Sequence, residues 1–180
     1  MINLWKNEDL NLLVEYSKEV AKGQKENALK ALHNGGDALL GYDVAYDKTY
    51  IVNEEEGQAV KIIFDRYVQG YSYIKIIDEL NDLGYKTKRG NKFGKNSLHG
   101  ILNNEKYTGV YVFNKSQIKG VNGKRNGYKQ KYEGEIIRVE DGMPQIIGKE
   151  VFKQAQEMMQ KRKDAYGNDY ISYRCGCRKV

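Results

Sequence analysis

The chain has 180 residues, 30 Lys plus Arg against 24 Asp plus Glu, and a formal net charge of +6. No apolar run approaches the roughly 20 residues that a membrane-spanning helix needs. Met1 to Leu13 lacks the basic end and apolar block of a secretory signal.

The length suffices for one sizeable core or for a small domain with appendages. Cys175 and Cys177, the two cysteines, stand too close together for an ordinary disulfide, which points to a reducing, cytoplasmic location. The charge is segregated. Gly84 to Asn104 holds five basic residues and no acid, and Asn114 to Tyr132 holds six and no acid, so the rest of the chain is net acidic. Such segregation is the footprint expected for a polyanion partner, with two solvated loops as the bland alternative.

In chain order, Glu8 to His33 reads as one helix, stopped by Asn34-Gly35-Gly36. Its stretch Ala21 to Asn27 offers almost nothing to bury, so the helix leans on a partner or lies exposed. Leu39 to Tyr46 and Thr49 to Asn53 suggest a hairpin turning near Asp47-Lys48. Asn53 then caps a helix whose first turn carries three glutamates, matched to its positive end. Val60, Ile63, Phe64 and Tyr67 follow at helical spacing, and Gly70 ends that helix. Ser72 caps another, with Ile76, Ile77 and Leu80 facing inward and Gly84 as its stop.

Tyr85 to Phe93, with a Gly-Asn pair at its middle, suggests a small basic hairpin or wing. After Gly94 a third helix runs to about Asn104, with Leu98, Ile101 and Leu102 on one side and Lys95, Asn96, His99 and Asn103 on the other. Tyr107 to Asn114 reads as a strand. Lys115 to Glu133 reads as a mobile basic loop. Glu135 to Val139 and Gln145 to Ile147 read as short strands. Lys149 to about Lys163 forms a last helix with Phe152, Ala155 and Met159 on one face. Asp164 to Val180 has no strong pattern. Tyr42, Tyr67, Tyr107 and Tyr111 fall in apolar patterns, whereas Tyr85, Tyr128 and Tyr132 lie beside basic residues.

Two short helices around a basic turn resemble a helix-turn-helix with an enlarged turn. A helix fits the B-DNA major groove, and Asn pairs bidentately with adenine there. Lys86, Lys88, Arg89, Lys92 and Lys95 are therefore phosphate candidates, with Thr87 and Asn91 in the same wing. Asn96, Ser97, His99 and Asn103 are base-edge candidates. Lys115, Lys119, Lys124 and Arg125, in the loop that runs to Lys131, would add salt-sensitive affinity. The alternative is a surface helical pair with a charged loop.

Several separate elements agree in order and spacing with one family. They are Gly35-Gly36 with Leu40-Gly41-Tyr42, Glu54 to Tyr67 with Gly70-Tyr71-Ser72, Ile77 to Leu80 with Gly84, Thr87-Lys88-Arg89-Gly90, Asn96-Ser97-Leu98, and Ile101 to Gly109 with Tyr111. Together they resemble the DNA-binding recombinase domain of large serine recombinases (LSRs), the integrases and transposases of phages and mobile elements. The resemblance covers Gly35 to Lys163, and Asn11 to His33 resembles the end of the long helix that joins the catalytic domain to it. It implies docking on attachment-site DNA while the linking helix crosses the minor groove.

Three departures shape the expectation. The family's tyrosine, arginine and nucleophilic serine, close together at a strand, have no counterpart before Asn11. Ser17, Ser72, Ser97, Ser116 and Ser172 stand outside the arginine cluster that phosphoryl transfer needs. No catalytic residue is assigned. Two prolines usual in the family are replaced within Asp37-Ala38-Leu39-Leu40, which loosens the linker. Cys175-Gly176-Cys177 supplies two of the four ligands of a closed zinc site, so neither metal nor cofactor is expected.

The expected architecture is α+β. A linking helix (1–34) precedes a compact mixed helical domain with small β-hairpins and a helix-turn-helix-like unit (35–163), then a tail (164–180) that the resemblance allows to be a remnant of the family's zinc ribbon. The expected function is sequence-directed duplex DNA binding within a site-specific recombinase, without cleavage by this chain alone. The partners are the attachment site of a mobile element and other recombinase subunits, with no membrane. The alternative is a remnant or protein-contact module acting through the long and final helices.

Overall fold

The computed structural model describes residues 5–116 and 131–174, with side chains for 12–116 and 131–164. Helix α1 (Trp5–Leu29) leads to the antiparallel pair β1 (Tyr42–Val44) and β2 (Tyr50–Val52), in the register Tyr42↔Val52. Helices α2 (Glu54–Val68), α3 (Tyr73–Asp82) and α4 (Lys95–Leu102) follow. A short 3-10 turn (Glu105–Thr108) leads to β3 (Tyr111–Phe113), which pairs antiparallel with β4 (Ile137–Val139). Helix α5 (Lys149–Arg174) is the last described element. This is the expected α+β architecture of helices with two small hairpins.

Helix α2 is the axis of the core. Its stripe Val60, Ile63, Phe64 and Tyr67 is buried, as the helical spacing requires. Asn53 caps it, its Oδ1 accepting from the Glu56 amide at 3.1 Å, and Glu54, Glu55 and Glu56 fill the first turn. Ser72 caps α3 through the Lys75 amide. Ile76 and Leu80 from α3, Leu98, Ile101 and Leu102 from α4, and Ala155 from α5 complete the cluster, with Ile77, Phe152 and Met159 half-buried at its edge. Arg66 on α2 and Glu79 on α3 make a bidentate ion pair, with Nη2 to Oε1 at 2.7 Å, and the guanidinium holds the Glu79 carboxyl below its ordinary range.

The four tyrosines expected in the core are there. Tyr42 stacks on Tyr107 with centroids 6.0 Å apart, and its hydroxyl donates to the Pro144 carbonyl at 2.7 Å. Burial pushes both phenols well above their usual range. Tyr111 donates to the Leu32 carbonyl at 3.0 Å and ties the segment just after α1 to β3. Gly142 makes that junction possible: an added Cβ would fall 2.7 Å from the Ala31 Cβ and 2.9 Å from the Tyr111 Cβ. Before this junction the described side chains of α1, Leu12 to Glu26, are exposed. Leu12, Leu13, Tyr16 and Val20 are exposed, as its thin apolar face suggested.

Five segments differ from the sequence reading. The strand expected from Tyr107 begins only at Tyr111, because Tyr107 and Thr108 belong to the 3-10 turn and Gly109 turns left-handed (φ 93°). Helix α1 stops at Leu29 rather than near His33, because Ala31 turns left-handed (φ 55°) and the Leu32 amide donates back to Asn27. Tyr85 to Phe93 forms no hairpin. It folds as one turn closed by the Thr87 amide on the Asn91 carbonyl at 2.8 Å, with no ladder beside it. Gln145 to Ile147 is not a strand either, since the Ile146 and Ile147 amides both donate to the single carbonyl of Tyr107. Helix α5 runs past Lys163 to Arg174, because Gly167 and Asn168 weaken a helix without ending it.

Candidate nucleic-acid interface

Helix α4 lies against the core through Leu98, Ile101 and Leu102, which leaves Lys95, Asn96, His99, Gly100 and Asn103 exposed and Ser97 half-buried. The turn before it is held from behind. Asn81 on α3 accepts from the Phe93 amide at 3.0 Å, and the Phe93 ring is buried. Thr87 closes the turn with its side chain, donating to the Asn91 carbonyl at 3.1 Å and accepting from the Asn91 amide at 3.2 Å. Phe93 and Asn81 therefore fix where α4 begins, and Thr87 fixes the loop in front of it.

The basic residues of this stretch divide into two kinds. Lys86, Lys92 and Lys95 are exposed and pair with no acid among the described residues. Lys88 turns inward. Its Nζ donates to the Tyr42 carbonyl at 2.8 Å, to Asp43 Oδ1 at 2.8 Å and to Glu56 Oε2 at 2.9 Å. Burial works to lower its pKa, and the bonds to Asp43 and Glu56 outweigh that, so the ammonium is held above its ordinary range. The hydrogen bonds from Lys88 and Asn53 hold the Asp43 carboxyl below its own. Glu56 also accepts from the Gly41 amide at 2.9 Å, so one cluster joins the turn, the first hairpin and the start of α2. Arg89 is exposed and pairs with exposed Asp37 of the linker at 2.8 Å.

The remaining sequence candidates are dispersed. Asn103 serves the end of α4, its Nδ2 donating to the His99 carbonyl at 2.8 Å and lying 3.2 Å from His99 Nε2. Lys115, after β3, pairs with Glu105 at 2.8 Å. Lys119, Lys124 and Arg125 lie outside the described residues, as do Tyr128 and the two cysteines. Tyr132 is exposed, and Tyr85 packs at the edge of the core.

A cleft of about 450 Å³ opens on one flank of α4, between the linker residues 37–40 and the turn. A second, of about 570 Å³, opens on the other flank, between α3, α4 and α5. Arg162 of α5, to which the sequence pattern gave no role, lines that second cleft. No sequence signal marks it, because the carbonyls that hold it come from 92 and 91 residues away. Among the described residues no group of three His, Cys, Asp or Glu side chains converges as a metal site would require, and no helix is long and apolar enough to cross a membrane.

Residues 54–162 match the model of the Recombinase family. The fold is similar to that of a chain in the crystal structure of an LSR–DNA complex, at 21% identity and TM-score 0.56, covering 79% of this chain and 38% of that one. It is also similar to a chain solved for the sequence requirements of the Listeria innocua prophage attP site, at 22% identity and TM-score 0.55, covering 79% of this chain and 51% of that one. The sequence therefore spans about half or less of those two chains. No curated protein matches it. The match over α2 to α5, the segment that builds both the core and the turn before α4, establishes that this chain belongs to the Recombinase family.

Proposed function

We propose that this chain binds duplex DNA in a sequence-directed manner as part of a site-specific recombinase of the large serine type, with the attachment site of a mobile element as its target. The observation that carries this reading is the exposed ridge of α4, which presents Asn96, His99 and Gly100 beside the acid-free cations Lys86, Lys92 and Lys95. A helix of this kind fits the major groove, where Asn and His reach base edges while the lysines neutralise phosphates. The solved chains of similar fold support it, since one is described as an LSR–DNA complex and the other concerns a prophage attP site.

In this reading residues 35–163 are the DNA-binding domain and residues 1–34 are the linking helix. Asn96, Ser97 and His99 read bases. Lys86, Arg89, Lys92 and Lys95 hold phosphates. Lys88 keeps the turn in place instead of touching DNA, because its three donor directions are already taken. Strand cleavage is assigned outside these residues: Ser72 caps α3, Ser17 donates to the Val14 carbonyl, and Ser97 sits on α4. The exposed Leu12, Leu13, Tyr16 and Val20 of α1 favour a further contact with other recombinase subunits.

Selection from a pool of randomised duplexes tests the reading. The purified chain enriches one motif, and Asn96→Ala relaxes the motif at one position at a cost of about 1–3 kcal/mol for the preferred base. A pool that stays random through repeated rounds contradicts sequence-directed binding.

A further inference from the structure

The two clefts beside α4 differ in how their cations are placed. On the turn side the cations are carried by a loop, and Arg89 there is paired with Asp37. The opposite cleft, bounded by Tyr67, Ser72, Tyr73, Lys95, His99 and Arg162, has no Asp or Glu in its walls among the described residues. Among the described residues Arg162 is fixed there by neutral partners alone. Its Cζ lies 4.5 Å from the centre of the Tyr67 ring, and Nη2 donates to the carbonyls of Gly70 at 3.1 Å and Tyr71 at 3.2 Å. Among the described residues no carboxylate pairs with it, nor with Lys95 across the cleft. The fold thus holds a full positive charge in one orientation without neutralising it. The first turn of α3, which opens toward the same cleft behind Ser72, carries no acid either.

Geometry gives this charge a use. The major groove is about 12 Å wide, and a helix with its side chains is about 10–12 Å across. A helix lodged in the groove therefore has a phosphodiester strand along each flank. We infer that the cleft between α3, α4 and α5 grips the DNA strand opposite the one held by the turn, with Arg162 and Lys95 as its phosphate-binding cations. This rests on the reading of α4 as a groove-entering helix and adds a second, separate backbone contact to it. Ser72 and the start of α3 supply neutral donors beside the two cations.

Phosphate ethylation interference on the selected duplex, read on both strands, tests the inference together with a salt series. The wild-type chain gives interference on both strands flanking the site. Arg162→Met weakens binding to all duplexes about equally, by roughly 3–10-fold at 0.1 M salt, and reduces the slope of log K against log salt by about 1. It also removes interference on one strand only. Arg162→Lys keeps the slope. Because Arg162 also packs on Tyr67, Lys95→Met serves as a second variant at an exposed position and loses interference on the same strand. If Arg162→Met and Lys95→Met leave the slope and both footprints unchanged, the inference fails while DNA binding stands. Interference on a single strand in the wild type overturns it in the same way. A wild-type chain that binds no duplex overturns both readings.

Discussion

Lys88 and Lys92 stand four residues apart in one basic turn, and the fold uses them in opposite ways. Lys88 is three-quarters covered and bonded to two carboxylates and a carbonyl, whereas Lys92 is exposed with no acid beside it among the described residues. Lys92→Ala should reduce the salt slope of DNA binding by about 1. Lys88→Met should leave that slope unchanged and instead lower stability, by about 1–3 kcal/mol, because two carboxylates lose their cation. Urea unfolding beside the salt series separates the two, and a lowered slope for Lys88→Met would place it on the phosphate after all. The sequence made the two lysines look alike because the partners of Lys88 lie 45 and 32 residues away.

The same cluster sets an acid dependence. The Asp43 carboxyl is held below its ordinary value, so its contribution is complete above the unfolded pKa of about 3.9 and is lost as pH falls through the lower folded value. The raised ammonium of Lys88 works in the other direction, with its contribution present below about pH 10 and lost only as pH rises beyond that. The cluster therefore acts fully across the neutral range. Melting followed by far-UV circular dichroism should show Asp43→Asn less stable than wild type at pH 7, with a smaller further loss below about pH 4. Identical acid profiles for the two proteins would contradict the assignment.

At the scale of elements, the helices were legible because each carries its burial as a period. Val60, Ile63, Phe64 and Tyr67 define α2, and Leu98, Ile101 and Leu102 define the inner side of α4. Caps sharpened the boundaries at Asn53 and Ser72, and both side chains make the expected bonds. Short extended segments were less legible. Tyr85 to Phe93 alternates like a hairpin, but Asn81 captures the Phe93 backbone and Thr87 closes the loop on itself, so no second strand forms. Gln145 to Ile147 has strand-forming residues, yet its amides converge on one carbonyl. Because α4 is only eight residues long, packing rather than propensity holds it. Leu98→Ala should destabilise the protein by about 2–5 kcal/mol in urea unfolding. A loss under about 1 kcal/mol would mean that α4 does not depend on the core beneath it.

At the scale of the molecule, segregated charge and a single family resemblance were enough to point at the Recombinase family, and the match over residues 54–162 agrees. The outward side of α4 was legible too, since Lys95, Asn96, His99 and Asn103 fall opposite its apolar side in sequence and are exposed in the fold. What the sequence withheld is the assembly of distant parts. Arg162 comes from the last helix to the flank of α4, Asp37 comes from the linker to Arg89, and Asn103 closes its own helix instead of standing free.

If α4 enters the major groove, its flanks carry cations toward both phosphate strands. The most direct measurement is the affinity of the purified chain for its selected duplex and for a scrambled duplex, followed across a salt series. With Lys86, Arg89, Lys92, Lys95 and Arg162 on phosphates, the slope of log K against log salt should be about −4 or steeper, with tighter binding to the selected duplex at every salt concentration. A slope near zero, or equal affinity for the two duplexes, would contradict the account.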